Sequence, residues 1–351
     1  MRFSDVLDIR NGRNQRQVEN KNGKYPIYGS GGTMGRADDF ICEAETVVIG
    51  RKGSINNPIF VDEPFWNVDT AFGLVANKDV LLPKYLYYFC VNFDFERLNT
   101  TVTIPSLTKA NLLQIEISIP DMGTQMHIVG VMDKICHLIE LRQQELHELD
   151  QLVKSRFIEL FASVEDEDTL INLCSFIDYR GKTPEKAESG LPFITAKNVK
   201  MHHMSFDTQE FISKETYDKV MTRGFPRIGD VVFTTEAPLG NVCRIPHIET
   251  EFYIGQRIIT MQTEQLEPAY LEYALSSDEF KRKIAEKSSG STVTGIRSKL
   301  LEKLSIPVPP RALQKQFAAF VQQTDKSKLA VQKGLQELEI LKKSLMQQYF
   351  G

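Results

Sequence analysis

The sequence predicts a mixed α/β (α+β) fold of two globular units, each followed by a long helix. The two helices are expected to pair antiparallel, giving an internal repeat of pseudo-twofold character. Three observations carry this expectation. Residues 103–161 align without a gap with residues 292–350. A heptad-like apolar stripe runs through the helical part of both copies. Outside the copies, short apolar runs alternate with turns rich in Gly, Asn and Pro. A chain of 351 residues is also too long for one ordinary core.

Residues 1–121 read as the first domain. Apolar runs at 25–28, 46–49, 59–61 and 72–75 have strand length, and Gly29-Ser30-Gly31-Gly32 and Gly53-Ser54-Ile55-Asn56-Asn57-Pro58 are turns between them. Pro83 opens a helix, with Pro268 as its counterpart in the second copy. Trp66, Tyr85, Tyr87 and Tyr88 are expected in the core. Residues 122–163 form the first long helix, 164–310 the second domain and 311–351 the second long helix. The strand ending Thr46-Val47-Val48-Ile49 has its counterpart near Asp230-Val231-Val232-Phe233, so the duplication reaches into the globular parts.

Identical pairs hold the repeat in register: Leu112/Leu301, Ile117/Ile306, Pro120/Pro309, Gln125/Gln314, Leu149/Leu338 and Ser155/Ser344. Convergence of two heptad patterns explains the leucines. It does not explain the shared approach, Ile117-Ser118-Ile119-Pro120 against Ile306-Pro307-Val308-Pro309. Ile128, Met132, Ile135, Ile139, Leu146, Leu149, Val153 and Leu160 recur at three- and four-residue steps, with Arg142 and Arg156 in two seam positions. Phe317, Val321, Leu335, Leu338 and Leu345 take the matching places. Each helix is then a rod of roughly 50 Å, and antiparallel pairing would set the globular units at opposite ends.

Composition is that of a soluble globular protein, 42% hydrophobic and 25% charged. No apolar stretch is long enough for a membrane span, and Met1-Arg2-Phe3-Ser4-Asp5 lacks the apolar stretch of a signal peptide. Five scattered cysteines without a Cys-x-x-Cys pair argue against a disulfide framework and a zinc site, and for a cytoplasmic location. The net charge of −4 does not demand a nucleic-acid partner. The acidity is concentrated in the first long helix and its Glu165-Asp166-Glu167-Asp168 tail, leaving the globular units near neutral.

The common catalytic signatures fail. Arg180-Gly181-Lys182-Thr183 has the end of a phosphate-binding loop, but Phe176 stands where the motif needs Gly, and Pro184 would break the following helix. Gly29-Ser30-Gly31-Gly32-Thr33-Met34-Gly35 misses the dinucleotide spacing by one place. There is no amino-methyltransferase tetrapeptide, no nuclease core around Pro120-Asp121, and no His-x-x-x-His. His137 and His147 read as solvated helix positions. The chain is expected to be non-catalytic and to hold no metal.

What remains resembles the specificity subunit of type I restriction–modification systems, over nearly the whole chain. The resemblance lies in two domains each followed by a long helix, and in phrases in a fixed order. These are Tyr25-Pro26-Ile27-Tyr28-Gly29-Ser30-Gly31-Gly32, Val48-Ile49-Gly50-Arg51-Lys52-Gly53-Ser54 and Phe65-Trp66-Asn67-Val68-Asp69-Thr70-Ala71-Phe72 in the first copy. Arg180-Gly181-Lys182-Thr183-Pro184, Gly229-Asp230-Val231-Val232-Phe233 and Ile306-Pro307-Val308-Pro309-Pro310 follow in the second. Where many members carry Glu-Gln after the final prolines, Thr124-Gln125 and Leu313-Gln314 keep only the Gln. The resemblance implies two target-recognition domains, each reading half of a bipartite site in double-stranded DNA. It implies two modification subunits as partners, carrying S-adenosylmethionine and methylating adenine. Through them it implies restriction subunits that use ATP and Mg, with no cofactor in this chain. The helices would set the nonspecific spacer.

Base readout needs Arg or Lys for guanine, Asn or Gln for adenine, and Thr for the thymine methyl. Loop residues of those types beside glycine are Lys24, Tyr28, Ser30, Arg51, Lys52, Ser54, Asn56 and Asn57 in the first domain. In the second they are Arg180, Lys182, Thr183, Lys197, Asn198, Thr234, Thr235, Asn241 and Arg257. Two other readings remain. A two-domain coiled-coil adaptor would show no DNA selectivity, and an enzyme with its site in the Gly-rich loops would bind a nucleotide or phosphate by itself.

Overall fold

The computed structural model describes residues 1–99, 106–288 and 295–351. The first positions of the sequence repeat, 103–105 and 292–294, lie outside the described residues. Packing divides the chain into two units: Met1–Glu145 with Val331–Gly351, and Leu146–Ala330.

In the first unit, α1 (Phe3–Val6) leads into β1 (Leu7–Asn11), β2 (Tyr25–Gly29), β3 (Gly32–Ala37), β4 (Thr46–Gly50), β5 (Ile59–Val61), β6 (Trp66–Asn67) and β7 (Ala71–Ala76). There follow α2 (Pro83–Asn92), α3 (Lys109–Leu113) and the start of α4 (Met122–Phe161). One antiparallel sheet has the order β1-β7-β4-β5, and a smaller one the order β3-β2-β6, with β2 and β6 parallel. The β-branched run of β4 is buried at every residue, as a strand flanked on both sides requires. Pro83 stands at the start of α2, where its missing N–H is not needed. Tyr85, Leu86 and Phe89 of α2 close over Val47, Ile49 and Leu74, and Ile128, Met132 and Met346 of the long helices complete this core. Trp66 and Tyr88 are buried as expected, while Tyr87 is half-buried.

The second unit contains β8 (Glu167–Thr169), α5 (Leu170–Leu173), β9 (Ser175–Asp178), β10 (Leu191–Ile194), β11 (Val199–Lys200), β12 (His203–Met204), β13 (Phe211–Ile212) and α6 (Lys214–Val220). It continues with β14 (Val231–Thr234), β15 (Val242–Arg244), β16 (Tyr253–Ile254), β17 (Ile258–Gln262), α7 (Pro268–Ser276), α8 (Asp278–Lys287), α9 (Ser298–Leu301), β18 (Ser305–Pro307) and the start of α10 (Arg311–Phe350). Its two larger sheets have the orders β9-β17-β14-β15 and β13-β10-β16, with β10 and β16 parallel, and β8–β18 and β11–β12 form two-stranded sheets. The two larger sheets repeat those of the first unit: β9, β17, β14 and β15 take the places of β1, β7, β4 and β5. The duplication therefore includes both sheets, and the α+β repeat expected from the sequence holds. The β11–β12 hairpin and α6 are the second unit's own additions.

The same joint ties sheet to long helix in both units. Gln125 is fully buried; its Oε1 accepts from Leu82 N at 2.9 Å, and its Nε2 donates to Val80 O and Pro120 O, both at 2.9 Å. Gln314 accepts from Glu267 N at 2.9 Å and donates to Pro309 O at 2.8 Å. Both glutamines thus occupy the N-terminal end of the Pro-led helix, and neither is free for a partner. Tyr85 Oη donates to Ser118 O at 3.0 Å, and Tyr270 Oη to Pro307 O at 2.6 Å. Side-chain ties reinforce the joint in both units: Lys84 Nζ and Tyr88 Oη of α2 each donate to the Asp133 carboxylate of α4 at 2.7 Å in the first. In the second, Arg244 Nε donates to the buried carboxylate of Glu272 at 2.5 Å, and its Nη2 to Asp325 of α10 at 2.9 Å.

Each long helix has 40 residues. Burial along α10 recurs at Gln314, Phe317, Val321, Thr324 and Val331, spaced at three- and four-residue steps or their sum, and along α4 at Gln125, Ile128, Met132, Ile135 and Val153. Ile139, Leu146, Leu149, Leu335, Leu338 and Leu345 are half-buried. Within the second unit the segments run antiparallel: Lys328 meets Asp150 at 2.5 Å, while Phe157 and Phe161, further along α4, pack on Phe317, earlier in α10. Within the first unit, Ile128 and Met132 share a core with Met346. Arg142 is an exception to the stripe. It is exposed and bonded to Glu145 at 2.6 Å, because no buried acceptor compensates a guanidinium at that step.

Candidate nucleic-acid interface

In the first unit β4 delivers the chain to a tight loop. Gly50 has no room for a side chain: a Cβ there would overlap the Ser54 carbonyl and lie 2.9 Å from Ser30 Cβ. The loop therefore folds back against the β2–β3 turn, helped by Gly53 at φ +81°. The main chain is pinned on two sides, with Arg51 N donating to Thr70 O at 2.7 Å and Leu107 N donating to Arg51 O at 2.9 Å. This gathers Ser30, Arg51, Lys52 and Ser54, and leaves both cations exposed. Arg51 lies 5.7 Å from the Phe72 ring, and among the described residues neither Arg51 nor Lys52 has an ion pair. Two unpaired cations with two hydroxyls suit an anionic or acceptor-rich surface.

The second unit repeats this lattice. Thr235 N donates to Arg257 O at 2.9 Å, and Ile296 N to Thr235 O at 3.0 Å. Bridges pair Lys52 with Ser106 and Glu236 with Gly295. Thr235, Glu236 and Arg257 therefore stand where Arg51, Lys52 and Thr70 stand in the first unit. Arg257 is exposed, and its Nε meets Glu236 Oε1 at 3.0 Å.

Several residues chosen from the sequence are used by the fold instead. Asn198 is buried: its Oδ1 accepts from Thr195 N and Oγ1, and its Nδ2 donates to Ser205 O and Thr208 O, leaving nothing for a base. Thr234 and Thr235 are buried as well, bonded to Asn241 N and Arg257 O. Asn241 Nδ2 donates to Val199 O at 2.8 Å. Arg180 is fastened to Asp178 at 3.2 Å and to Ser298 Oγ at 2.7 Å, as a strut onto α9. Asn56 bonds Asp94 Oδ1 and Phe95 N through both ends of its amide. Tyr28 packs edge-on against Phe65. Lys24 lies at the opposite end of β2 from Ser30, its ammonium 5.2 Å from the Tyr25 ring. Lys182 reaches Thr222 Oγ1 at 3.2 Å. Asn57, Thr183 and Lys197 are exposed. Glu236 was absent from the sequence candidates because an acidic side chain is not the type sought for phosphate or guanine. Extending the repeat through the sheets would have found it, opposite Lys52.

Among the described residues no group of three or more His, Cys, Asp or Glu is arranged to hold a metal, and no helix is long and apolar enough to cross a membrane. Burial pushes the thiols of Cys42, Cys174 and Cys243 up to about 12.

Residues 1–151 and 172–340 match the type I restriction modification DNA specificity domain. The chain belongs to this family. The resemblance read from the sequence is thereby borne out. Its relatives include the type I restriction enzyme MjaVIII specificity subunit of Methanocaldococcus jannaschii, 21% identical over 339 residues, covering 88% of this chain and 79% of that protein. Another is the putative type I restriction enzyme specificity subunit S.HindORF215P of Haemophilus influenzae, 22% identical over 334 residues, covering 89% of this chain and 83% of that protein. The crystal structure of a type I restriction–modification S subunit from M. genitalium has the same fold, with a TM-score of 0.66 at 18% identity over 100% of this chain and 95% of that one. A chain from a study of complex assembly and conformational transition of the type I R-M system gives 0.59 at 17% identity, over 100% of this chain and 96% of that one.

Proposed function

We propose that this specificity-family chain reads a bipartite target in double-stranded DNA, one half-site per unit, and does no chemistry itself. The observation that carries the reading is the repeated lattice at the exits of β4 and β14. The framework there is the same in both units, while the exposed side chains differ: Arg51 and Lys52 in one, Glu236 and Arg257 in the other. Equal frameworks with unlike polar tips are what two readers of different half-sites need, because main chain positions and side chains discriminate. Two modification subunits would supply S-adenosylmethionine and adenine methylation, and restriction subunits joined through them would use ATP and Mg. The domains proposed for these roles are residues 1–121 and 164–310, with helices 122–163 and 311–351 setting the spacer. Near-neutral readers fit such an assembly if the modification subunits make much of the phosphate contact.

Methylome sequencing of a host with and without this gene, beside its modification subunit, tests the proposal. A split adenine-methylation motif that appears only with the gene is expected. Replacing residues 169–300 by those of a relative should change one half of the motif and keep the other. A motif altered in both halves would refute one unit per half-site, and the absence of any gene-dependent motif would favour an adaptor that binds no DNA.

A further inference from the structure

The ion pair between Glu236 and Arg257 is not needed to shape its loop. The main chain is already held by Thr235 and Ile296, and the two side chains are 43% and 53% exposed, where a pair contributes little to stability. Its geometry does something else. Arg257 Nε takes Glu236 Oε1, so both terminal guanidinium nitrogens and Glu236 Oε2 have no partner among the described residues. The free edge offers two donors beside one acceptor. In the major groove a G·C pair presents two acceptors, guanine N7 and O6, beside one donor, cytosine N4. An A·T pair presents acceptor, donor and acceptor, and would set an adenine amino group against the guanidinium.

We infer that Glu236 and Arg257 together read one G·C base pair in the half-site of the second unit, Arg257 on guanine and Glu236 on cytosine. This rests on the proposal above that the second unit reads DNA. Arg257 also offsets the repulsion between the carboxylate and the phosphates, which explains how an acidic residue stands in such a loop. The first unit differs, because among the described residues neither Arg51 nor Lys52 is paired with a carboxylate.

The test uses the full chain assembled with its modification subunits. Competition binding is measured on duplexes carrying the split motif, with each base pair of both half-sites exchanged in turn. The wild-type assembly should lose about tenfold or more at one G·C pair of the second half-site. In Glu236→Ala and Arg257→Lys that loss should shrink to about threefold or less, with every other position unchanged. The inference is overturned if both variants keep all ratios, or if the weakened position is A·T. It is also overturned if first-half-site selectivity is lost as well, since that would make the pair structural. A wild-type assembly with no base preference in the second half-site would refute the parent proposal, a different and recognisable result.

Discussion

Replacing Gln125 by Ala should unfold the first unit at much lower denaturant. The substitution removes the partner of three half-buried main-chain groups: Leu82 N–H, Val80 O and Pro120 O. At about 1 to 1.5 kcal/mol each, with the void of the missing chain added, the loss is about 3–5 kcal/mol. For a unit of this size the urea slope is about 2–3 kcal/mol per M, so the midpoint should fall by about 1–2 M. The chain has one tryptophan, Trp66, buried in this unit with Nε1 donating to Arg13 O, and its emission reads the transition directly. Gln125→Met separates the causes, since it keeps the volume and removes the amide. It should still lower the midpoint by about 1 M. A Gln125→Met chain unfolding within about 0.3 M of wild type would refute the hydrogen-bond argument and leave packing as the whole effect.

Asn198→Ala should cost about 2–4 kcal/mol in urea unfolding yet leave the base preference of the second half-site unchanged in competition binding; a changed preference would return Asn198 to the readers. Glu167 is held below the usual carboxylate range, chiefly by its hydrogen bond from Lys283 and then by Ser305. Its stabilisation is complete above the ordinary value of 4.5 and is lost as pH falls through the lower folded value, so thermal melts of wild type and Glu167→Gln should converge as pH drops below 4.5. Inserting four residues between Glu148 and Leu149 lengthens α4 by about 6 Å, and methylome sequencing should find a spacer longer by about one or two base pairs with both half-sites unchanged. Two inserted residues turn the stripe by about 200° and should abolish methylation; an active variant with an unchanged spacer would remove the helices from that role.

Much of the framework was legible because it rests on local physics. Within a helix, Pro83 and Pro268 are accommodated at its start, and the run Thr46-Val47-Val48-Ile49 has few options besides a buried strand. The matching sheet orders were hidden, because loops of unequal length, including the β11–β12 hairpin and α6, break the constant offset of the helices. The candidate interface was read less well for a different reason. Residue type and a neighbouring glycine do not report burial, and the amides of Asn198, Asn56 and Asn241 bond within the protein just as readily as they would bond a base. Arg51, Lys52 and Arg257 are exposed, as expected of long cations that are costly to bury.

The joint at Gln125 and Gln314 has a consequence for inheritance. Each glutamine grips peptide groups, and Tyr85 and Tyr270 likewise seek carbonyl oxygens, so these ties demand a backbone course from their partners and are indifferent to which side chains ride on it. A recognition unit acquired by recombination would find these main-chain ties on another pair of long helices, provided it kept the Pro-led helix and the few side chains that pair with α4 and α10. The bonds that do ask for matched side chains are Arg244 to Asp325 and Arg311 to Glu267 in the second unit, and Lys84 and Tyr88 to Asp133 in the first. New specificities could therefore arise by exchange of whole units in one event, faster than by substitution at the tips.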